Sequence, residues 1–326
     1  MNRRMNMNFL RCLTILAACS SGYAAHADSY PERPVRLIVG FPPGGATDLV
    51  ARVIAPKLGE ALGQQVVVDN RAGANGTIGA DLAAHATPDG HNLHLATLGA
   101  LVISPRITKV PYRPQRDFAP ISMAVQLQNF FITHPSLGVK SIGELITLAK
   151  KKPGTLNYAS SGLGSPGHLA GELFNTMAKV RMTHIPYKGG GPALVDTIAG
   201  QTQILFATPI ASSGHIKAGR VRPLAVSSAK RVQSFPDVPT VAQAGLPGYE
   251  AGVWYGILAP KGTPREIVTR LNQDIRKVLN DSGIRAFLTK AGIEPDGGTP
   301  EALGRYMQSE LAKWAKVIKA GNIRID

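Results

Sequence analysis

The sequence predicts an α/β fold in which mostly parallel strands are flanked by helices. Three observations predict it. Short β-branched, apolar runs alternate with stretches of helical periodicity. Glycine turns repeatedly join a strand end to a helix start. No internal repeat, heptad array or low-complexity tract offers a competing architecture.

The first strand is Val35 to Phe41, followed by a Pro-Pro-Gly-Gly turn and a helix whose apolar positions are Leu49, Val50, Val53, Ile54 and Leu58. Gln65 to Asn70 is the second strand, and the glycine-rich stretch from Arg71 to Gly79 leads to a helix over Ala80 to His85. His91 to Ala96 returns as a strand, completing a βαβαβ unit whose strands should run parallel.

The middle of the chain repeats the rhythm. Ser141-Ile-Gly-Glu144 is a capping box that opens a helix. Strand Leu156 to Ser160, helix His168 to Ala178, strand Met182 to Ile185, helix Pro192 to Ala199, strand Ile204 to Ala207 and strand Val221 to Ser227 follow. Near the end, Thr263-Pro264 and Thr299-Pro300 each place a capping threonine before a proline suited to the first helical position. They start helices over Pro264 to Asn280 and Pro300 to Lys319.

The first residues set the compartment. Arg3, Arg4 and Arg11 accompany an apolar stretch ending in small residues at Ala25-His26-Ala27, the pattern of a secretory signal over residues 1–27. Two cleavage readings compete: a mature start at Asp28, or a lipoprotein box that leaves Cys19 acylated. Both cysteines, Cys12 and Cys19, precede the folded region, so no disulfide or thiol chemistry is expected there. Removing the three leader arginines from the net charge of +15 leaves +12, which favours small anions by steering. Lys and Arg are scattered, Lys150-Lys151-Lys152 being the single run, so nucleic acid is not an expected partner.

Three glycine turns carry the candidate chemistry. Phe41-Pro42-Pro43-Gly44-Gly45-Ala46-Thr47-Asp48 opens a helix whose first N–H groups lack intrahelical partners, which suits a carboxylate. Simple capping by Thr47 or Asp48 uses the same geometry, and this motif alone does not separate the two. Tyr158 to His168 repeats the design with hydroxyl donors Ser160, Ser161 and Ser165 and with His168; capping is again the alternative. Its Gly162-x-Gly164-x-x-Gly167 spacing matches the dinucleotide fingerprint formally, but Pro166 and the missing downstream acid argue against a nucleotide. Tyr187-Lys188-Gly189-Gly190-Gly191-Pro192 is the third turn. If all three face one crevice beyond the strand ends, they form a donor-rich cradle.

Catalytic, cofactor and metal sites are not expected. Ser160 and Ser161 lack the Gly-x-Ser-x-Gly elbow, leaving an exported serine hydrolase using either serine with His168 as the rival reading. His91 and His94 point to opposite faces of a strand. Trp254-Tyr255 either walls the cleft or belongs to the core.

Taken in order, Tyr30-Pro-Glu-Arg-Pro-Val-Arg-Leu-Ile-Val-Gly-Phe-Pro-Pro-Gly-Gly-Ala-Thr-Asp48, Asn70-Arg-Ala-Gly-Ala-Asn-Gly76, Tyr158 to His168, Ile185-Pro-Tyr-Lys-Gly-Gly-Gly-Pro192 and Ala259-Pro-Lys-Gly-Thr-Pro264 resemble the signature stretches of the Bug-type, substrate-binding receptors of tripartite tricarboxylate transporters. The resemblance implies a two-lobed, type II periplasmic binding protein of the Venus-flytrap kind. One lobe would hold residues 28–128 plus 251–326, the other 129–250. It also implies a monomer that captures a small carboxylate and delivers it to a membrane permease, or presents it to a sensor kinase, without catalysis.

By that pattern the ligand contacts are Phe41, Gly44, Gly45, Ala46, Thr47 and Asp48, then Thr97 and Gly99, with Ser160, Ser161, Ser165, His168, Tyr187 and Thr208 from the other lobe. Family members often carry an aspartate after the strand at Phe206, where this chain has Ala207-Thr208-Pro209. That departure points to a plain di- or tricarboxylate, or an aromatic acid, over an amino acid.

Overall fold

In the computed structural model, residues 30–321 and 323 are described, apart from 233 and 234. The expected leader, with Cys12 and Cys19, lies outside the described residues.

Val35–Val39 forms β1, and α1 (Ala46–Leu62) follows the glycine turn. β2 (Val66–Asn70) leads through a short 3₁₀ turn at Ala74–Gly76 to α2 (Thr77–Ala84). This helix starts three residues before the expected Ala80, because Gly76 takes the left-handed conformation (φ 89°) and serves as its N-cap. β3 (Asn92–Thr97) runs into a π-helical turn, Gly99–Ile103, and α3 (Ser104–Ile107). β4 (Phe118–Leu127) and β5 (Phe130–Thr133) come next. α4 (Ile142–Lys151), β6 (Asn157–Ser160), α5 (Pro166–Ala178), β7 (Thr183–Pro186), α6 (Gly190–Ile198), β8 (Ile204–Ala207), α7 (Pro209–Lys217) and β9 (Arg222–Val226) follow. The chain ends with β10 (Val253–Pro260), α8 (Arg265–Asn280), α9 (Ser282–Lys290), β11 (Ile293–Pro295) and α10 (Pro300–Ala320).

The strands form two sheets, of order β11-β4-β10-β3-β1-β2 and β7-β6-β8-β5-β9. The expected parallel pairing holds for β2-β1-β3 and for β7-β6-β8. Both sheets are nevertheless mixed, because the strands next to the passages between sheets enter antiparallel: β10 against β3 and β4, and β5 against β8 and β9. The chain leaves the first sheet after Leu127, enters the second at Phe130, and returns from Val226 to Val253.

Alternation along each strand builds a core on both faces of the first sheet. Val35, Leu37 and Val39 of β1 join Tyr255 and Ile257 of β10 under α1 and α8. Ile38, Trp254 and Leu258 face the other way, against Leu303, Met307 and Trp314 of α10. The end of α10 continues into the second half of the molecule: Val317, Ile318 and Ile323 share a cluster with Leu173 and Phe174 of α5.

Side-chain caps mark the starts of α4, α5, α9 and α10. Ser141 Oγ accepts from Glu144 N at 3.1 Å while Glu144 Oε2 accepts from Lys140 N, one residue before the partner a standard box would use. Thr299 caps α10 as expected, accepting from Ala302 N at 3.2 Å. Thr263 does not cap α8: its hydroxyl donates to Pro260 O at 2.8 Å, and Pro264 itself occupies the N-cap position. No described helix is long and apolar enough to cross a membrane.

Candidate functional site

A cavity of about 730 Å³ lies beyond the carboxyl ends of β1, β3, β6, β7 and β8, within the size range of small-molecule sites. From the first sheet it takes Phe41, Pro42, Pro43, Gly45, Ala46 and Thr47 of the turn into α1, with Asn75, Thr97 and Gly99. Gly45 is the N-cap of α1 and makes no side-chain cap, so the positive end of a 17-residue helix opens on the cavity through Ala46 and Thr47. Tyr255, a buried β10 residue, also lines the cavity; burial raises its phenol's pKa, and the Thr47 hydroxyl works against that rise.

The second sheet supplies three further helix starts. α5 begins at Ser165, Pro166 and Gly167, all lining. α6 begins at Gly189 and Gly190, and Gly189 (φ 114°) has no side chain with which to cap it. α7 begins behind Thr208, whose hydroxyl makes no cap bond. The wall between these donors is apolar: Leu127, Leu163, Leu205, Phe206, Ala207 and Val253. Among the described residues, no Asp, Glu, Lys, Arg or His lines the cavity. A negatively charged guest would therefore be held by helix ends, backbone N–H groups, hydroxyls and amides, with no cation to neutralise it.

The model of the family described as the tripartite tricarboxylate transporter family receptor matches residues 50–323, most of the chain. The chain belongs to this receptor family. It is 41% identical to a protein from the tcbD-tcbE intergenic region of Pseudomonas sp. strain P51, over 94% of this chain and 91% of the relative. Protein BugT of Bordetella pertussis is 38% identical, covering 97% and 98%. Among solved structures, Rpa4515 of R. palustris with adipate superposes with a TM-score of 0.80 at 40% identity, over 90% of this chain and 99% of that one. MatC of Rhodopseudomonas palustris with bound malate gives 0.76 at 33% identity, covering 89% and 100%. The periplasmic binding protein BugD gives 0.76 at 35%, covering 90% and 99%. The receptor is thus a two-lobed solute-binding protein of α/β type.

Of the residues expected at the site, Phe41, Gly45, Ala46, Thr47, Thr97, Gly99, Ser161, Ser165 and Thr208 line the receptor's cavity. Gly44, Asp48, Ser160, His168 and Tyr187 do not line it, and each has an internal role instead. The Asp48 carboxylate accepts from Gly44 N (2.9 Å), Arg52 Nε (2.9 Å) and Asn70 Nδ2 (2.9 Å), so acid and turn latch each other. Burial works against its charge, but the bonds from Arg52, Gly44 and Asn70 outweigh burial and hold the carboxyl below the ordinary range.

In the second turn, Ser160 Oγ lies 2.7 Å from His184 Nε2 and accepts from Gly162 N at 3.1 Å, closing the loop from beneath. His168 Nδ1 accepts from Gly164 N at 3.1 Å. The Ser160–His168 pair required by the hydrolase reading is therefore replaced by two separate loop-fixing bonds, and Ser160 is fully buried. Tyr187 donates to Asp196 Oδ2 at 2.8 Å and braces α6; burial, then Asp196, pushes its phenol up to about 12.

His91 packs against Tyr30, and His94 Nδ1 lies 3.1 Å from Ile38 O. No group of three or more metal-ligating side chains occurs among the described residues. Of the Trp254-Tyr255 pair, the tryptophan is core and the tyrosine walls the cavity, as their alternation on a strand requires.

Two polar lining residues were not anticipated: Asn75 and Asn129. Asn75 adopts φ 55° in the 3₁₀ turn and packs on Gly99, where a Cβ would sit 2.9 Å from its amide. An Asn in a glycine-rich turn is the available sequence signal for a left-handed position.

Proposed function

We propose that this receptor works in the periplasm, closes its two lobes on a small carboxylate, and hands the closed complex to a membrane permease of the tripartite tricarboxylate type. The single observation that carries the reading is the cavity lined by the starts of α1, α5, α6 and α7 and by no charged side chain. Helix starts supply partial positive charge and unpaired N–H donors, which favour carboxylate oxygens. The lining has no acid to pair with an ammonium, which favours a plain di- or tricarboxylate or an aromatic acid over an amino acid. Adipate and malate in the two related structures are carboxylates of that class.

The lobes would be residues 28–128 plus 251–326 and residues 129–250, hinged where the chain passes between the sheets. Closure is driven by contacts that exist only when both lobes touch the ligand. No bond is made or broken. Residues 1–27 would direct export, with Cys19 as the alternative lipidation point, and the receptor would act as a monomer.

A thermal-shift screen across mono-, di- and tricarboxylates tests this reading. A ligand at a hundred times its Kd stabilises the native state by about 2.7 kcal/mol, so at least one acid should raise the melting temperature by about 5 °C. If none does, while the protein melts cooperatively, the binding role is wrong.

A further inference from the structure

Asn129 stands where the chain passes from the first sheet to the second, and it is 2% exposed. Its backbone is locked on both sides: Asn129 N donates to Ser227 Oγ at 2.9 Å, and Ser227 N donates to Asn129 O at 2.9 Å. The side chain lines the cavity, yet its amide nitrogen Nδ2 has no hydrogen-bond partner. Its neighbours in the wall, Leu127, Leu205, Phe206, Ala207 and Val253, offer no side-chain acceptor. A buried donor is normally paired, and Asn129, a residue of the cavity wall, carries a buried amide N–H group with no partner, a donor available to a guest that reaches it.

We infer that Asn129 is a specificity-determining residue that donates to a second oxygen acceptor of the ligand, remote from the carboxylate held at the helix starts. The inference rests on the carboxylate-receptor reading and deepens it: the substrate class is a carboxylate bearing another carboxylate, keto or hydroxyl oxygen, and an acid ending in a methyl group is rejected. The physical reason is asymmetric. A bound guest with an acceptor pairs the amide, whereas a methyl-ended guest seals it away from both water and partner.

Matched pairs of acids test it, beginning with adipate against hexanoate and continuing through succinate against butyrate, each titrated calorimetrically into the full-length mature protein. The wild type should bind one of the diacids at least tenfold tighter than its methyl-ended partner. Asn129→Leu should lose that preference through weaker diacid binding, with the monoacid unchanged or improved. Its unliganded melting temperature should hold or rise, since an unpaired amide is replaced by an apolar group of similar size. Asn129→Asp, which keeps the shape and replaces the donor by an acceptor, should weaken the diacid further and leave the monoacid less affected.

Equal loss for both acids, or an unchanged diacid preference in both variants, overturns the inference while leaving the receptor role standing. A fall in the unliganded melting temperature of both variants would assign Asn129 a structural role instead. If the wild type binds no carboxylate at all, the receptor reading itself falls, and the inference with it.

Discussion

The imidazole of His184 lies flat against that of His168, ring centroids 4.0 Å apart, directly beneath the loop that leads into α5. The His168 ring must be neutral for this arrangement, since Gly164 N donates to its Nδ1, and the stacked, buried His184 ring, whose Nε2 lies 2.7 Å from Ser160 Oγ, is disfavoured as a second cation beside it. Burial pushes His168 down to about 4; burial and then His168 push His184 down to about 3. In the unfolded chain both would take up a proton near pH 6.5. Between those values the unfolded chain binds more protons, so acidification favours unfolding; above pH 7 these groups contribute no slope.

Unfolding free energy should therefore fall as pH drops from 6.5 to 4. His168 contributes up to about 1.4 kcal/mol per pH unit, and the partly solvated His184 less. Chemical denaturation at several pH values reads this directly. His184→Phe, which keeps the stacked ring, should show a shallower slope; a profile that is flat from pH 7 to 4.5 would contradict the burial argument.

Asp48 latches the first turn without lining the cavity. Asp48→Ala leaves Gly44 N without its acceptor and the Asn70 amide with Phe41 O alone, and should cost about 2 kcal/mol of stability by the usual penalty for orphaned partners. Ligand affinity should fall as well, because the Gly45-Ala46 segment loses its anchor. Urea unfolding paired with titration of a bound acid separates the two effects.

The contribution of a single amide can be isolated at α1. Gly45 is extended (φ −83°, ψ 174°), a conformation compatible with a following proline, and proline is well accepted at the first helical position. Ala46→Pro should thus leave the melting temperature of the free protein within about 2 °C. It should weaken carboxylate binding by about tenfold or more, the worth of a hydrogen bond to a charged group.

Gly171 in α5 packs on Tyr158 so closely that a Cβ there would lie 2.2 Å from Tyr158 Cε2. Alanine gains about 1 kcal/mol of helix propensity, but the ring is buried and its hydroxyl is tied to Glu172 Oε1 at 2.6 Å. Overpacking of 1–3 kcal/mol should win, so Gly171→Ala should be destabilised in thermal unfolding and should bind its ligand more weakly, since α5 carries Ser165 and Gly167 to the cavity.

Ester hydrolysis separates receptor from hydrolase. Ser160 is buried and paired with His184, away from the cavity lining. Purified protein should turn over small esters at the background rate, and Ser160→Ala should change stability by about 1 kcal/mol with no change in that rate. Turnover abolished by Ser160→Ala would reinstate the enzyme reading.

What was legible in the sequence was local. Glycine turns, capping residues and N1 prolines announce helix starts within a few residues, so the starts of α1, α5 and α6 were identified and brought to one crevice by the rule for parallel strands. β5 and β10 were not recognised as strands because they are buried along their whole length and show no polar alternation. Asp48 and Ser160 were assigned to the ligand because an anion-binding turn and a self-capped turn share the same residues; which way a carboxylate or hydroxyl faces depends on Arg52, Asn70 and His184, set by tertiary contacts. Asn129 carries no motif at all: what marks it is an unpaired amide, visible only once its neighbours are in place.

The central claim is that helix starts in a cavity with no charged side chain among its lining residues hold the ligand's carboxylate. A crystal structure of the receptor with the acid that stabilises it most tests this directly. A carboxylate group within hydrogen-bonding distance of the Ala46 or Thr47 N–H groups, contacted from the other side by the starts of α5, α6 or α7, is the result expected. An acid bound elsewhere, or held there by a lysine or arginine, would contradict the account.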